Sequence, residues 1–369
     1  MNAYMGYIRQ HALRILARVA TKDSNHSNLG TTFTTRAMRT TTSVTGLLAL
    51  TQLAPAAANT LSKRGAAREL YRFTNGTFIE NVAVRPNGHL LLSTFADASL
   101  FTLDPLSPED PLPPPRYVGS VPDITGLTGL AQVAPDVWAV SGGVSDIENY
   151  AFVEGTAVVS LFDLQGWAPS EGNEGGVPAE IVARVPDAAM LNGMTNLAAN
   201  PHIVLSAGSK TGSIIRIDTR TGAVDEAFQD DVLAPYSPEF KRAPLGVNGV
   251  HIAGDYLYFT NSDKAFFGRV PVDEQGGRAG DIEIINTMAD DDTHAYDDFS
   301  VAAEEAGMVY VGKQKDSVVG ISTEHGRAEV LLGPDSPIVV EMPTSTALSL
   351  DGKTLYIVTG GGQVIAYEL

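Results

Sequence analysis

The sequence predicts an all-β fold, and within that class a ring of six small antiparallel sheets. Three observations carry the prediction. Apolar runs of four to six residues alternate with polar positions at period two, as half-buried strands do. Glycine (36) and proline (21) are scattered between these runs, where they punctuate turns. One pattern returns six times between Ile79 and the last residue, and a repeat of this length implies a repeat architecture.

The copies come in order along the chain. The first is IENVAVRPNGHLLLSTFADASLFTLDP from Ile79. The second is LTGLAQVAPDVWAVSGG from Leu127, which resumes after an insertion at GTAVVSLFDLQG. The third runs from Met194 (MTNLAANPHIVLSAGSKTGSIIRIDTRTG) and the fourth from Val247 (VNGVHIAGDYLYFTNSDKAFFGRVPVDEQG). The fifth starts at Asp297 (DDFSVAAEEAGMVYVGKQKDSVVGISTEHG) and the sixth at Thr344 (TSTALSLDGKTLYIVTGGGQVIAYEL). Each opens on a polar residue and a first strand. A turn such as Pro-Asn-Gly or Asp-Gly-Lys leads to the most apolar strand, and a polar turn leads to a third.

Such small sheets cannot bury two faces alone, but they can when stacked radially, which predicts a six-bladed β-propeller. A β-sandwich or a β-helix would explain neither the count of six nor one unrepeated strand. That strand, ELYRF at 69–73, is expected to complete the last blade from outside. Pairing there removes a free sheet edge.

The propeller is expected over 68–369. Ahead of it, residues 38–58 read as a secretory signal peptide. Arg39 is the positive start, Val44 to Leu53 the apolar middle, and Ala56-Ala57-Ala58 the small-residue cleavage site. Residues 59–67 form a short linker with a dibasic pair, Lys63-Arg64. Residues 1–37 are Arg-rich and read as a gene-model extension or a leader. Without 1–64 the chain holds 17 basic and 42 acidic residues. That balance argues against nucleic acid as a partner. No apolar run is long enough to insert in a membrane. The chain has no cysteine, which excludes thiol catalysis and Cys-ligated metals. Asn75-Gly76-Thr77 is an N-glycosylation sequon, consistent with a secreted protein.

The polar residue opening each first strand is the candidate site signal. In the simplest alignment these are Glu80, Thr128, Thr195, Asn248, Asp298 and Ser345. A first strand lines the central channel and starts near one mouth, so six polar side chains should converge there. Asn248 then faces the channel, while Val250 and Ile252 face the packing between blades. Glu80, Asn248 and Asp298 bring oxygen ligands that suit a hard cation. His251, on the same strand, can act as a donor or acid near neutral pH. Two insertions could lie over the mouth. One, at 225–245, carries Phe228, Tyr236 and Phe240, and the other carries Tyr150 and Phe152. The run ADDDTHAY, 289–296, sets three aspartates before His294 and Tyr296; it reads as an exposed acidic loop, with a cation or base role as the alternative.

Over 68–369 the sequence resembles the SMP-30/gluconolactonase-like family of six-bladed propellers, in its secreted fungal branch. The pieces IENVAVRPNG, VNGVHIAGDYLYFTNSD, DDFSV and PTSTALSLDGKTLYIVT carry the resemblance. For lactonase members it implies a divalent metal held by a Glu, two Asn and an Asp, with the Asp as base. Glu80, Asn248 and Asp298 match three of these, and Thr195 falls on the remaining Asn. Within the fungal branch it implies hetero-Diels–Alderases, which join an o-quinone methide tropolone to a humulene-type sesquiterpene.

Three readings follow. The first is a secreted pericyclase acting on small hydrophobic organic substrates, with no cofactor required. Asp298, Asn248 and His251 are its catalytic candidates, and Thr128, Thr195, Tyr236, Phe240, Tyr296 and Ser345 would contact substrate. A pericyclic step needs a shaped pocket that holds two partners in near-attack geometry, and donors toward the diene oxygen. The second is a lactonase using Ca or Zn on Glu80, Asn248 and Asp298. The third is a non-catalytic binding propeller, since fold alone does not fix function.

Overall fold

The computed structural model describes residues 65–74, 76–95, 97–146, 149–168, 176–236, 244–289, 294–302 and 307–369. The expected leader, signal peptide and dibasic pair lie outside the described residues, as do Asn75, Phe240 and Asp290 to Asp292. Gly65–Leu369 forms one compact unit. Among the described residues no helix is long and apolar enough to cross a membrane.

The unit is a six-bladed β-propeller of four-stranded antiparallel sheets. The innermost strands are Ile79–Val84, Gly126–Ala134, Leu191–Leu197, Val247–Ala253, Tyr296–Val301 and Pro343–Leu348, in blades 1 to 6. Five blades are built from consecutive strands. The sixth takes its outermost strand from the other end of the chain: Ala67–Arg72 pairs antiparallel with Gln363–Glu368. The unrepeated strand therefore closes the ring, as its sequence suggested. Blade 2 carries an extra two-residue hairpin, Ser145–Asp146 with Ala151–Phe152.

Alternation along each strand sends side chains to opposite faces of a blade. In blade 4, Val250 and Ile252 pack toward blade 3 with Leu197, Leu205 and Ile214. Ala253, on the other face, and Tyr258 of the next strand pack with Phe299 of blade 5. Apolar clusters thus sit between blades rather than at one centre. Turns between first and second strands have their own requirement. Gly88 and Gly352 have φ of +85° and +70°, and nothing lies within 4 Å of where a Cβ would stand. Glycine serves backbone conformation there, not space.

Every innermost strand carries a register shift in the same place. In blade 1 it falls between Ile79 and Asn81, in blade 2 between Leu127 and Leu130, and in blade 3 between Leu191 and Met194. In blades 4, 5 and 6 it falls between Val247 and Val250, Tyr296 and Phe299, and Pro343 and Ser345. These are β-bulges, which set two residues against one on the partner strand and re-aim their side chains.

Candidate functional site

The bulges define the true equivalence of the six blades. The bulged pairs are Glu80-Asn81, Thr128-Gly129, Asn192-Gly193, Asn248-Gly249, Asp297-Asp298 and Thr344-Ser345. The simple alignment had set Thr195, Asp298 and Ser345 level with Asn248. The observed register sets Asn192, Asp297 and Thr344 there instead. Thr195 lies three residues further along its strand, while Asp298 and Ser345 take the second bulge position. Every blade carries the bulge, so it leaves the blades level; the simple alignment differs because other polar residues, Thr195, Asp298 and Ser345, lie close by on the same strands. The signal that would have found the observed register is the Asn-Gly dipeptide, shared by 192–193 and 248–249.

At the first bulge position the two threonines serve the frame. Thr128 is fully buried, and its hydroxyl donates to the Leu191 carbonyl at 3.0 Å and pairs with Ser141 Oγ at 2.8 Å. Thr344 donates to the Ile79 carbonyl at 2.7 Å. The other four residues, Glu80, Asn192, Asn248 and Asp297, make up a cup of oxygen-bearing groups. Asn248 is 1% exposed. Its Nδ2 donates to Ser262 Oγ at 2.8 Å, and its amide also reaches the Asp297 carboxyl. Its Oδ1 is buried with no partner among the described residues. Asp297 is buried and accepts from Gln314 Nε2.

The electrostatics of the cup are one-sided. Burial is the main cause that pushes the Asp297 carboxyl up to about 7. Asp298 adds to the push, and the bonds from Gln314 and Asn248 oppose it. Burial also drives Glu80 well above the usual carboxylate range, with Asp297 and Asp298 pushing the same way. No cationic side chain contributes to either shift. A surplus of buried acceptors can be relieved by a shared proton, as in paired carboxyls, or by a hard cation on oxygen ligands. The orphaned Asn248 Oδ1 and the two carboxyls fit a Ca²⁺-type ion; Glu80, Asn192, Asn248 and Asp297 would hold it.

One residue deeper, the second bulge position closes the channel. Asn81 Nδ2 donates to Asp298 Oδ2 at 2.7 Å. That bond joins blades 1 and 5 past blade 6, on the channel side of the innermost strands. Ser345 Oγ of blade 6 donates to Asn81 Oδ1 at 2.9 Å, and Val82 N donates to the same oxygen at 2.8 Å. Asp298 Oδ1 accepts from Phe299 N at 2.8 Å and lies 3.0 Å from His251 Nε2. A carboxylate only accepts, so the ring nitrogen facing it carries the hydrogen. His251 also meets Phe299 edge to face, with centroids 4.8 Å apart. Its side chain is 33% exposed. Asp298 and His251 are therefore joined, but as part of a crossbar that also includes Asn81, a residue the sequence reading did not single out.

The remaining blades contribute glycine at this level, and each is needed for space. A Cβ on Gly129 would stand 2.4 Å from the Asn192 carbonyl oxygen, and one on Gly193 would stand 2.7 Å from the Asn248 carbonyl oxygen. On Gly249 it would stand 2.4 Å from Asp298 Oδ1.

Loops entering the innermost strands lie at the same end as the cup, and so do the turns between second and third strands. The described parts of both sequence-predicted insertions reach this mouth, but residues 225–229 belong instead to the outermost strand of blade 3, Val224–Gln229, where Phe228 pairs with Ile214. Lys210 ties them together: its Nζ donates to the Asn149 carbonyl at 2.7 Å and the Pro244 carbonyl at 3.2 Å. Burial lowers the Lys210 pKa, and Asp146 opposes that. Tyr236 is 65% exposed and Tyr150 43%. Phe152 is instead buried and stacks on Phe95. Tyr296 is also buried, with its hydroxyl donating to Asn286 Oδ1 at 2.7 Å, so it packs between blades rather than facing the mouth. Thr195 Oγ1 accepts from Ile252 N at 3.3 Å. His294 lies 3.2 Å from Asp316.

Comparison with known proteins adds relatives in sequence and in fold. No family model matches the chain. A candidate hetero-Diels-Alderase of Sarocladium schorii is 26% identical over 329 residues, 80% of this chain and 78% of that protein. Another from a Phoma species is 26% identical over 256 residues, 63% of this chain and 70% of that protein. Among solved structures, a luciferin-regenerating enzyme superposes with a TM-score of 0.59 at 13% identity, covering 83% of this chain and 95% of its own. The calcium-binding protein regucalcin of Agrobacterium tumefaciens gives 0.56 at 14% identity, covering 82% and 93%. The six-bladed propeller is thus the fold of the SMP-30-like protein regucalcin, and the sequence is similar to that of fungal hetero-Diels-Alderases.

Proposed function

We propose that the protein is a secreted Diels-Alderase-like enzyme of fungal secondary metabolism. The reaction is a hetero-Diels–Alder cycloaddition between an o-quinone methide, such as one on a tropolone, and a terpene alkene. The similarity to the two curated relatives, one of them over 80% of the chain, is the observation that carries this reading. The chemistry is self-balanced: one C–C and one C–O bond form, and no proton, leaving group or redox equivalent is exchanged. What the protein must supply is a place for two apolar partners and a donor to the heterodiene oxygen, where negative charge grows. A carboxyl whose pKa lies near or above neutrality keeps its proton and can donate a hydrogen bond. Asp297, pushed up to about 7, is such a group, and burial drives Glu80 in the same direction. Tyr150 and Tyr236 are exposed at the same mouth, available to the apolar partners.

The test is to incubate purified protein with a quinone methide precursor and a terpene alkene, before and after chelator treatment. The expected outcome is faster formation of one stereoisomer than in buffer, unchanged by chelator. Product at the buffer rate, with buffer stereochemistry, would sink the reading.

A second reading is favoured by the orphaned Asn248 Oδ1. Here Glu80, Asn192, Asn248 and Asp297 hold a divalent cation, Ca or Zn, and the protein hydrolyses a lactone. The cation would supply Lewis acidity toward the lactone carbonyl. The protein's own groups would orient the ring, and Asp297 would take up a proton from water. Lactone hydrolysis that disappears with chelator and returns with Ca²⁺ would favour this reading over the first.

A further inference from the structure

We propose that Asn81 is a positioning residue that sets the spacing of the cup through its bond to Asp298. The proposal rests on the cation-binding reading of the cup. Asn81 follows Glu80 directly in the chain, and Asp298 follows Asp297. The bond from Asn81 Nδ2 to Asp298 Oδ2, 2.7 Å, therefore ties together the strand positions next to the two carboxyls, in blades separated by blade 6. Both members are buried, at 7% and 3% exposure. Each is fixed by further bonds: Val82 N and Ser345 Oγ to Asn81, and Phe299 N and His251 to Asp298. Neighbouring carboxyls in a buried site repel, and Asp297 and Asp298 both push Glu80 upward. The hydrogen-bonded crossbar below them holds the bulged backbones at a fixed separation. Groups that orient ligating residues tune affinity and ion preference although they never touch the ion.

The hydrogen bonds also specify a rescue. In the double variant Asn81→Asp with Asn at 298 (N81D/D298N), donor and acceptor change places. The new carboxylate accepts from the new amide and still accepts from Val82 N and Ser345. The amide oxygen at 298 still accepts from Phe299 N and His251. Net charge is unchanged.

The experiment measures Ca²⁺ and Mg²⁺ binding by calorimetry on the full chain, with thermal melting as a check of folding. The proteins are wild type, Asn81→Leu, N81D/D298N and Glu80→Gln. The expected result is that Asn81→Leu weakens Ca²⁺ binding by about tenfold or more and narrows the preference for Ca²⁺ over Mg²⁺. N81D/D298N regains the wild-type affinity and preference. A purely structural role for Asn81 would move the melting temperature and leave the ion preference alone. If Asn81→Leu fails to fold, the swapped pair decides: folded protein with wild-type binding supports the proposal, and folded protein with weakened binding overturns it. Wild-type binding in Asn81→Leu, with binding lost in Glu80→Gln, overturns the positioning role and leaves the cation reading intact. Wild-type protein that binds neither ion overturns both.

Discussion

Blades 2 to 4 and blades 5, 6 and 1 treat the same backbone position in opposite ways. At the second bulge residue the first half has Gly129, Gly193 and Gly249, while the second half has Asp298, Ser345 and Asn81. One half withdraws its side chains and the other extends them into the space provided. Asp298 Oδ1 occupies the place where a side chain on Gly249 would begin. A ring of six similar sheets has no intrinsic reason to be lopsided at its axis. The difference teaches that the bulge sets direction, and residue type then decides which blades reach the centre.

The comparison can be broken first from the extended half. Asp298→Ala removes the acceptor for Asn81, His251 and Phe299 N. Buried donors left unpaired cost about 1–3 kcal/mol each, so stability in urea unfolding should fall by at least that much. A loss near zero would mean the crossbar is not formed.

From the withdrawn half the effect should be smaller. Gly129→Ala places a methyl against the Asn192 carbonyl and the Met194 amide, at 2.4 and 2.7 Å. Backbone cannot rotate away as a side chain can, and overpacking of this kind costs about 1–3 kcal/mol. If Gly129→Ala melts like wild type, the glycines are incidental and the contrast between halves loses its meaning.

The last effect depends on pH and sharpens the contrast instead. Asp297 has its pKa raised from an ordinary 3.8 to about 7. Between those values the folded protein holds a proton that the unfolded chain has released. Stability is then greatest below about pH 4 and declines as pH rises toward 7, reaching a floor above it. Glu80 acts in the same direction. Asp297→Asn should therefore gain stability relative to wild type as pH rises from 4 to 8. The same difference at both values would mean the cup carries no electrostatic strain.

Much of the fold was legible because period-two alternation and turn residues repeat on a scale that reading by eye can follow. The closing strand was legible too, since ELYRF had alternation but no repeat of its own. Part of the site was legible: Glu80 and Asn248 stand where expected. Asn192 and Asp297 were harder to see, because Thr195 and Asp298, polar residues on the same strands, compete for the equivalent position. Asn81 was missed for another reason. It sits beside a residue with an obvious charge, and only the tertiary bond to Asp298 distinguishes it from any strand asparagine. Thr128 and Tyr296 show the converse, polar groups whose partners are the frame itself.

The seam between Ala67–Arg72 and Gln363–Glu368 also governs timing. It brings together parts of the chain as far apart as Gly65 and Tyr367, 302 positions in sequence. Contacts of such separation form slowly because the intervening loop must first be ordered. During synthesis five blades can assemble while the ring still stands open, since its last strands emerge only at the end. Throughout that interval the first strand has no partner, so the seam is the last contact to form, and the same pairing between two chains would be a domain swap.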